Sequence, residues 1–173
     1  MTRGYTSSTD SYSTDSSSDD ERSGQNHLAL VCIDGQDRGV KALDWYLDHY
    51  HQNDRIVGLV TVYTTPQPPT SGPVYPAQLH AKYQAWSGEV RMRSECITHT
   101  LEGLCLEKGL PCETFVLEKR GSVGQTICEL AREKGAEVIV LGERCGDSTP
   151  GRRERVEEHV RQNTHASVLF APM

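Results

Sequence analysis

The chain lacks the features that mark a membrane protein, a nucleic-acid binder or a secreted disulfide scaffold. No apolar run approaches the ~18 residues that a spanning helix needs; Leu28-Ala-Leu-Val-Cys-Ile33 and Ile56-Val-Gly-Leu-Val-Thr-Val62 both stop well short. The N-terminus has no apolar core behind its charged start, so it does not read as a secretory leader. Basic residues are in the minority: 18 Lys and Arg against 24 Asp and Glu leave a formal charge of −6. That balance argues against nucleic acid and against an anionic membrane as partners. The cysteines, at 32, 96, 105, 112, 128 and 145, contain no Cys-x-x-Cys pair. Most lie inside apolar patterns, as the reduced thiols of a cytosolic protein do, and a cytoplasmic location is expected.

Catalytic signatures are missing as well. No serine sits in a Gly-x-Ser-x-Gly elbow, and there is no Gly-x-x-x-x-Gly-Lys-Ser/Thr loop. The histidines are dispersed; His49-Tyr-His51 is the closest pair and has no third ligand at suitable spacing. We therefore expect no catalytic residues, no metal site and no enzymatic activity.

What is present falls into two parts. Residues 1–26 are almost entirely Ser, Thr, Asp, Tyr and Gly. Such a segment buries too little apolar surface to offset its ordering entropy, so it is expected to be a disordered tail. Within it, Ser16, Ser17 and Ser18 each have an acidic residue three positions on, the pattern that acidophilic kinases read, and they are candidate phosphorylation sites.

Residues 27–173 alternate short apolar runs with helical patterns. Leu28–Ile33 is too short for a free-standing helix and fits a strand buried on both faces, ending at the turn signal Asp34-Gly35. Val40, Leu43, Leu47 and Tyr50 then recur at helical spacing, and Ile56–Val62 forms a second two-sided strand. A proline-rich stretch from Thr64 to Ala77 reads as a surface loop. Beyond it, Leu79, Tyr83, Trp86, Val90, Ile97, Leu101 and Leu104 form the stripe of a long helix, expected to pack on the sheet, to slacken at Gly88 and to close at Gly109 and Pro111. A third strand runs from Glu113 to Leu117. Ser122-Val-Gly-Gln125 is a capping-box pattern opening a helix that stops at Gly135. Val138–Leu141 is a fourth strand, Thr149-Pro150 a candidate start for a last helix, and Ser167–Ala171 a fifth strand. No internal repeat is present. This alternation implies a single α/β domain, a doubly wound parallel sheet with helices on both faces and a ligand crevice at the carboxyl ends of its strands. Asp34, Val60 to Tyr63, Gly121 and Gly142 to Gly146 would lie along that edge.

The opening strand ending in Asp34, the Gly121 turn before a helix, Ala136-Glu-Val-Ile-Val-Leu-Gly142 and the terminal Val168-Leu-Phe170 strand together resemble the universal stress protein family over residues 27–173. The resemblance implies five parallel strands in the order 3-2-1-4-5 and a homodimer formed through the last strand. Nucleotide-binding members carry Gly-x-x-Gly, nine residues, then Gly-Ser/Thr at the start of the last helix. There, glycines admit phosphate to backbone N–H groups at a helix N-terminus. In this chain Gly142 matches the first glycine, the second falls on Cys145 with Gly146 one place late, and the Gly-Ser pair falls near Glu154-Arg155. The expectation is thus a stress-response binding module whose phosphate loop is degenerate, with no cofactor required. Two alternatives stay open. In one, Asp34, at the position of the acid that contacts adenosine in the family, works with Arg144, Arg153 and Arg155 to bind ATP or AMP through guanidinium forks. In the other, phosphorylation of the tail regulates an interaction. The candidate nucleotide-binding set is Asp34, Val60, Gly142, Arg144, Gly146, Arg153 and Arg155.

Overall fold

The computed structural model describes residues 27–52, 55–66, 77–142 and 154–172. Its elements, in chain order, are β1 (His27–Cys32), α1 (Gln36–His49), β2 (Arg55–Tyr63), α2 (Ala77–Glu107), β3 (Cys112–Glu118), α3 (Val123–Lys134), β4 (Val138–Gly142), α4 (Glu154–Asn163) and β5 (Ser167–Ala171). The strands form one five-stranded sheet in the order β3-β2-β1-β4-β5. All ladders are parallel, and Val31 of β1 stands between Leu59 on one side and Val140 on the other. The expected architecture and strand order are both found.

The period of two along β1 explains why its run is apolar throughout. Ala29, Val31 and Ile33 enter the core beneath α1 and α2, where they meet Ala42, Leu43, Tyr46, Leu101 and Cys105. Leu28 and Leu30 enter the opposite core beneath α3 and α4, against Ile127, Leu130, Ala131 and Val160. Leu30 and Val31 are fully enclosed; each such side chain contributes about 1.5–3 kcal/mol by leaving water. β1 ends one residue earlier than expected, at Cys32. Ile33 still extends the sheet locally, since its N–H donates to the Val60 carbonyl at 2.8 Å.

Helix α3 starts as the capping pattern predicts, with the Ser122 side chain accepting from the Gln125 N–H at 3.0 Å. The reciprocal half of the box is not made, because the Gln125 side chain donates forward to Glu129 at 2.8 Å.

Helix α2 corrects two expectations. It runs without interruption through Gly88, and a side chain there would meet nothing within 4 Å. Its apolar stripe also packs on the sheet only in its second half. There Leu101, Cys105 and Thr98 are buried, and the Thr98 hydroxyl hydrogen-bonds to that of Thr61 on β2 at 2.8 Å. Trp86, in the first half, is 53% exposed. The reason is length. A helix of 31 residues is about 46 Å long, whereas the 9 residues of β2 span about 30 Å, so the helix outruns the sheet. The cysteines divide similarly: Cys105 and Cys128 are buried, Cys32 and Cys112 half-buried, and Cys96 is exposed on α2.

Several expectations lie outside the described residues. These are the tail of residues 1–26 with Ser16, Ser17 and Ser18, most of the proline-rich loop, and the segment 143–153 with Arg144, Cys145, Gly146, Thr149, Pro150 and Arg153.

Candidate functional site

The strand order turns back on itself between β1 and β4, since the chain leaves β1 toward β2 and β3 and later returns to β4 and β5 on the other side. At that reversal the connections leaving the two strands diverge, and an open-ended crevice is left between them. The crevice found there has a volume of about 380 Å³. Its floor comes from the ends of β1, β2 and β4, through Cys32, Val60, Leu141 and Gly142. Its walls are the N-terminal turns of two helices, Val123 and Ile127 from α3 and Val156 and Glu157 from α4. Those two helices lie in close contact: a Cβ added to Gly124 would approach the His159 Cβ to 3.0 Å. A larger residue at 124 would push the two walls apart.

Asp34 stands at the lip, directly after β1. The next residue, Gly35, has φ 83°, a backbone conformation that L side chains rarely adopt, and it lets the chain turn sharply from β1 into α1. Asp34 is thereby held at the strand end, outside the helix. The Arg38 guanidinium on the first turn of α1 lies 3.4 Å from its carboxylate, and both groups are largely exposed. At the floor, burial pushes the Cys32 thiol up to about 12, with Cys128 adding to the effect. Cys32 is therefore a neutral thiol at physiological pH, and the floor is apolar in character.

Of the candidate residues, Asp34, Val60 and Gly142 are brought together in this one crevice. Arg155 falls in the first turn of α4, the helix that supplies a wall, though its side chain lies outside the described residues. Arg144, Gly146 and Arg153 belong to the segment that is not described. Gly121 does not line the crevice; the Gln125 side chain sits against it instead. Sequence reasoning missed Val123, Ile127, Val156 and Glu157. Val123 and Ile127, one helical turn apart, read as ordinary core positions, and the signal that identifies them is their place in the first two turns of a helix that follows a parallel strand.

The comparisons with known proteins bear on this arrangement. The model of the universal stress protein family matches residues 26–172. The chain belongs to that family. Among solved structures, a universal stress protein from Lactobacillus plantarum is similar at TM-score 0.64 and 15% identity, over 84% of this chain and 97% of that one. A family member from Burkholderia pseudomallei aligns at TM-score 0.52 and 21% identity, over 86% and 98% of the two chains. A family member from Arabidopsis thaliana solved with AMP bound aligns at TM-score 0.56 and 14% identity, over 84% and 91%. A comparison with curated protein sequences gives no match. At these identities the structural neighbours establish the fold that this universal stress protein shares with them.

Among the described residues no group of three or more His, Cys, Asp or Glu side chains is placed to hold a metal ion. No described helix is long and apolar enough to cross a membrane.

Proposed function

We propose that this universal stress protein is a binding module of the stress response, not an enzyme, and that its crevice keeps the adenosine side of the family's nucleotide site without the tight phosphate grip. The observation that carries this reading is the chemistry of the lining. Among the described lining residues the charged groups are two carboxylates, Asp34 and Glu157, with no lysine or arginine. Glu157 stands on the first turn of α4, the helix end whose dipole would draw a phosphate. A carboxylate there opposes a triphosphate. The sequence adds to this: Cys145 replaces a glycine of the loop, and Glu154-Arg155 stand in place of Gly-Ser.

A second reading is a working adenine-nucleotide sensor. It is favoured by the convergence of Asp34, Val60 and Gly142 on one crevice and by the AMP-bound structure of the Arabidopsis neighbour. In that reading Arg144, Arg153 and Arg155 grip phosphate in place of the missing glycines. Native mass spectrometry of the purified protein separates the two. The first predicts a bare chain; a retained ATP or AMP would establish the second.

We further propose a homodimer formed through β5. That strand ends the sheet, and among the described residues its only ladder is with β4, so its outer row of N–H and C=O groups is available for a second copy. Light scattering after size exclusion should give twice the chain mass, and a monomer at micromolar concentration would refute the proposal.

A further inference from the structure

A second cavity lies at the opposite edge of the sheet from the crevice, where α3 turns into β4 and α4 turns into β5. Its volume is about 410 Å³, within the range of about 300–1,000 Å³ typical of small-molecule sites. Backbone hydrogen bonds fix both turns. After α3, Gly135 adopts φ 64°, and the Ala136 N–H donates to the Ala131 carbonyl at 2.8 Å. After α4, the Thr164 N–H donates to the Val160 carbonyl at 3.1 Å, and the Thr164 hydroxyl oxygen accepts from the Ala166 N–H at 3.1 Å. The Ser167 N–H then donates to the Glu137 carbonyl at 2.8 Å and ties the two strand entries together. The space between the turns is thus built into the fold.

Small side chains keep that space open. The floor is Cys128 and Ala131 from α3, Ala136 before β4 and Ala166 before β5. Cys128 and Ala131 belong to the core beneath α3 and α4, and Ala136 and Ala166 pack against it. The floor is therefore apolar, and its three alanines leave room that larger side chains would fill.

The charged and titratable groups of the rim are Arg132, Glu137 and His165. The Glu137 carboxylate is already engaged: one oxygen lies 2.6 Å from His27 Nδ1 and the other 3.7 Å from the Arg55 guanidinium. Among the described residues no ion pair engages Arg132. The last carbonyls of the two helices would repel an anion, but they are occupied. Ala131 and Val160 accept the bonds given above, Arg132 accepts from the Gly135 N–H at 3.4 Å, and His159 accepts from the Asn163 side chain at 2.8 Å. An apolar floor beneath one uncommitted cation is complementary to a molecule with an apolar body and a single negative charge.

We propose that this cavity binds an apolar monocarboxylate, its chain on the alanine floor and its carboxylate held by the Arg132 guanidinium, with His165 adding an N–H donor. A guanidinium offers a carboxylate two parallel N–H groups, and that fork favours a carboxylate over an anion of other shape. The site is separate from the crevice and is independent of what the crevice holds.

Titration of octanoate into the full chain tests this, with octanol and octylamine as neutral and cationic probes of the same length. Calorimetry should show octanoate binding roughly tenfold or more tighter than octanol, the difference that one charge-assisted hydrogen bond makes. Octylamine should bind more weakly still. In isotope-labelled protein, octanoate should shift the amide signals of residues 131–137 and 163–167, which surround the cavity, and leave those of Asp34 and Gly142 in place. Arg132→Gln should bring octanoate down to the affinity of octanol. Ala136→Leu should fill the floor and abolish binding of both, and Ala166→Leu gives the same reading if the Ala136 variant fails to fold. The absence of any heat from octanoate at millimolar concentration would overturn the proposal. So would shifts confined to the crevice, equal affinities for the three probes, or octanoate binding that survives both Arg132→Gln and a filled floor.

Discussion

The two sides of the crevice are built on different terms. The strand side, formed by the ends of β1, β2 and β4, is continuous with both hydrophobic cores: Val60 and Leu141 line the ligand space and are themselves core residues. On the helix side, Ile127 of α3 is also a core residue, whereas Val156 and Glu157, on the first turn of α4, are only partly buried. Shape on the strand side is therefore enforced by the stability of the whole domain. Charge on the helix side is open to drift. On the proposed reading, a phosphate grip can be lost at the start of α4 while the fold persists, because Glu157 there is not a core residue.

Damage to the strand side should register in stability. Leu30 is fully enclosed in the core beneath the crevice, and Leu30→Ala should cost about 2–5 kcal/mol through lost burial and the cavity left behind. Urea denaturation followed by circular dichroism measures this, and a loss below about 1 kcal/mol would contradict the coupling of crevice and core. By contrast, Glu157→Gln, at a partly buried helix position, should stay within about 0.5 kcal/mol of the parent.

Damage at the lip should register in binding alone. If the adenosine side persists, Asp34→Ala removes a charge-assisted hydrogen bond worth about 1.5–3 kcal/mol, or roughly 10- to 100-fold in affinity. Isothermal titration with adenosine and AMP reads this directly. Equal affinities in parent and variant would exclude Asp34 from the site.

How much of this was legible follows from the kind of signal each part carries. β1 and β2 could be read because burial on both faces writes an uninterrupted apolar run, and helix α3 because Ser122 and Gly135 mark its ends. Asp34, Val60 and Gly142 followed from strand ends alone. The overhang of α2 was not legible: the stripe from Leu79 to Leu104 keeps one period throughout, and periodicity does not record where the sheet beneath it stops. Nor were Val123, Ile127, Val156 and Glu157, since a helix's first turn looks the same in sequence whether it faces a cavity or the core.

Charge on the helix side should tune ligand preference. Removing the Glu157 carboxylate in Glu157→Gln takes away a repulsion of about 1 kcal/mol toward a phosphate within several ångströms in a half-solvated cleft, or about fivefold in affinity. The gain should appear for AMP and ATP and be absent for adenosine, and it should shrink as salt is raised. A gain of equal size for adenosine would mean that Glu157 acts by shape, and the contrast between the two sides would fail.

The smallest effect concerns Arg38. Its guanidinium lies 3.4 Å from the Asp34 carboxylate, but with side chains 44% and 58% exposed such a pair contributes only about 0–0.5 kcal/mol, because water screens it and two mobile side chains must be ordered. Arg38→Ala should therefore leave the melting temperature unchanged within error. Adenosine must share the Asp34 carboxylate with that cation, so its removal should raise adenosine affinity by no more than about twofold. AMP should respond oppositely, since the same arginine adds positive potential at the lip that favours an anion, and the adenosine-to-AMP affinity ratio should rise. Titrating both ligands into the same variant measures that ratio with errors in protein concentration cancelled. An unchanged ratio would mean that Arg38 competes for Asp34 without reaching the phosphate, and the lip would then discriminate on hydrogen bonding alone.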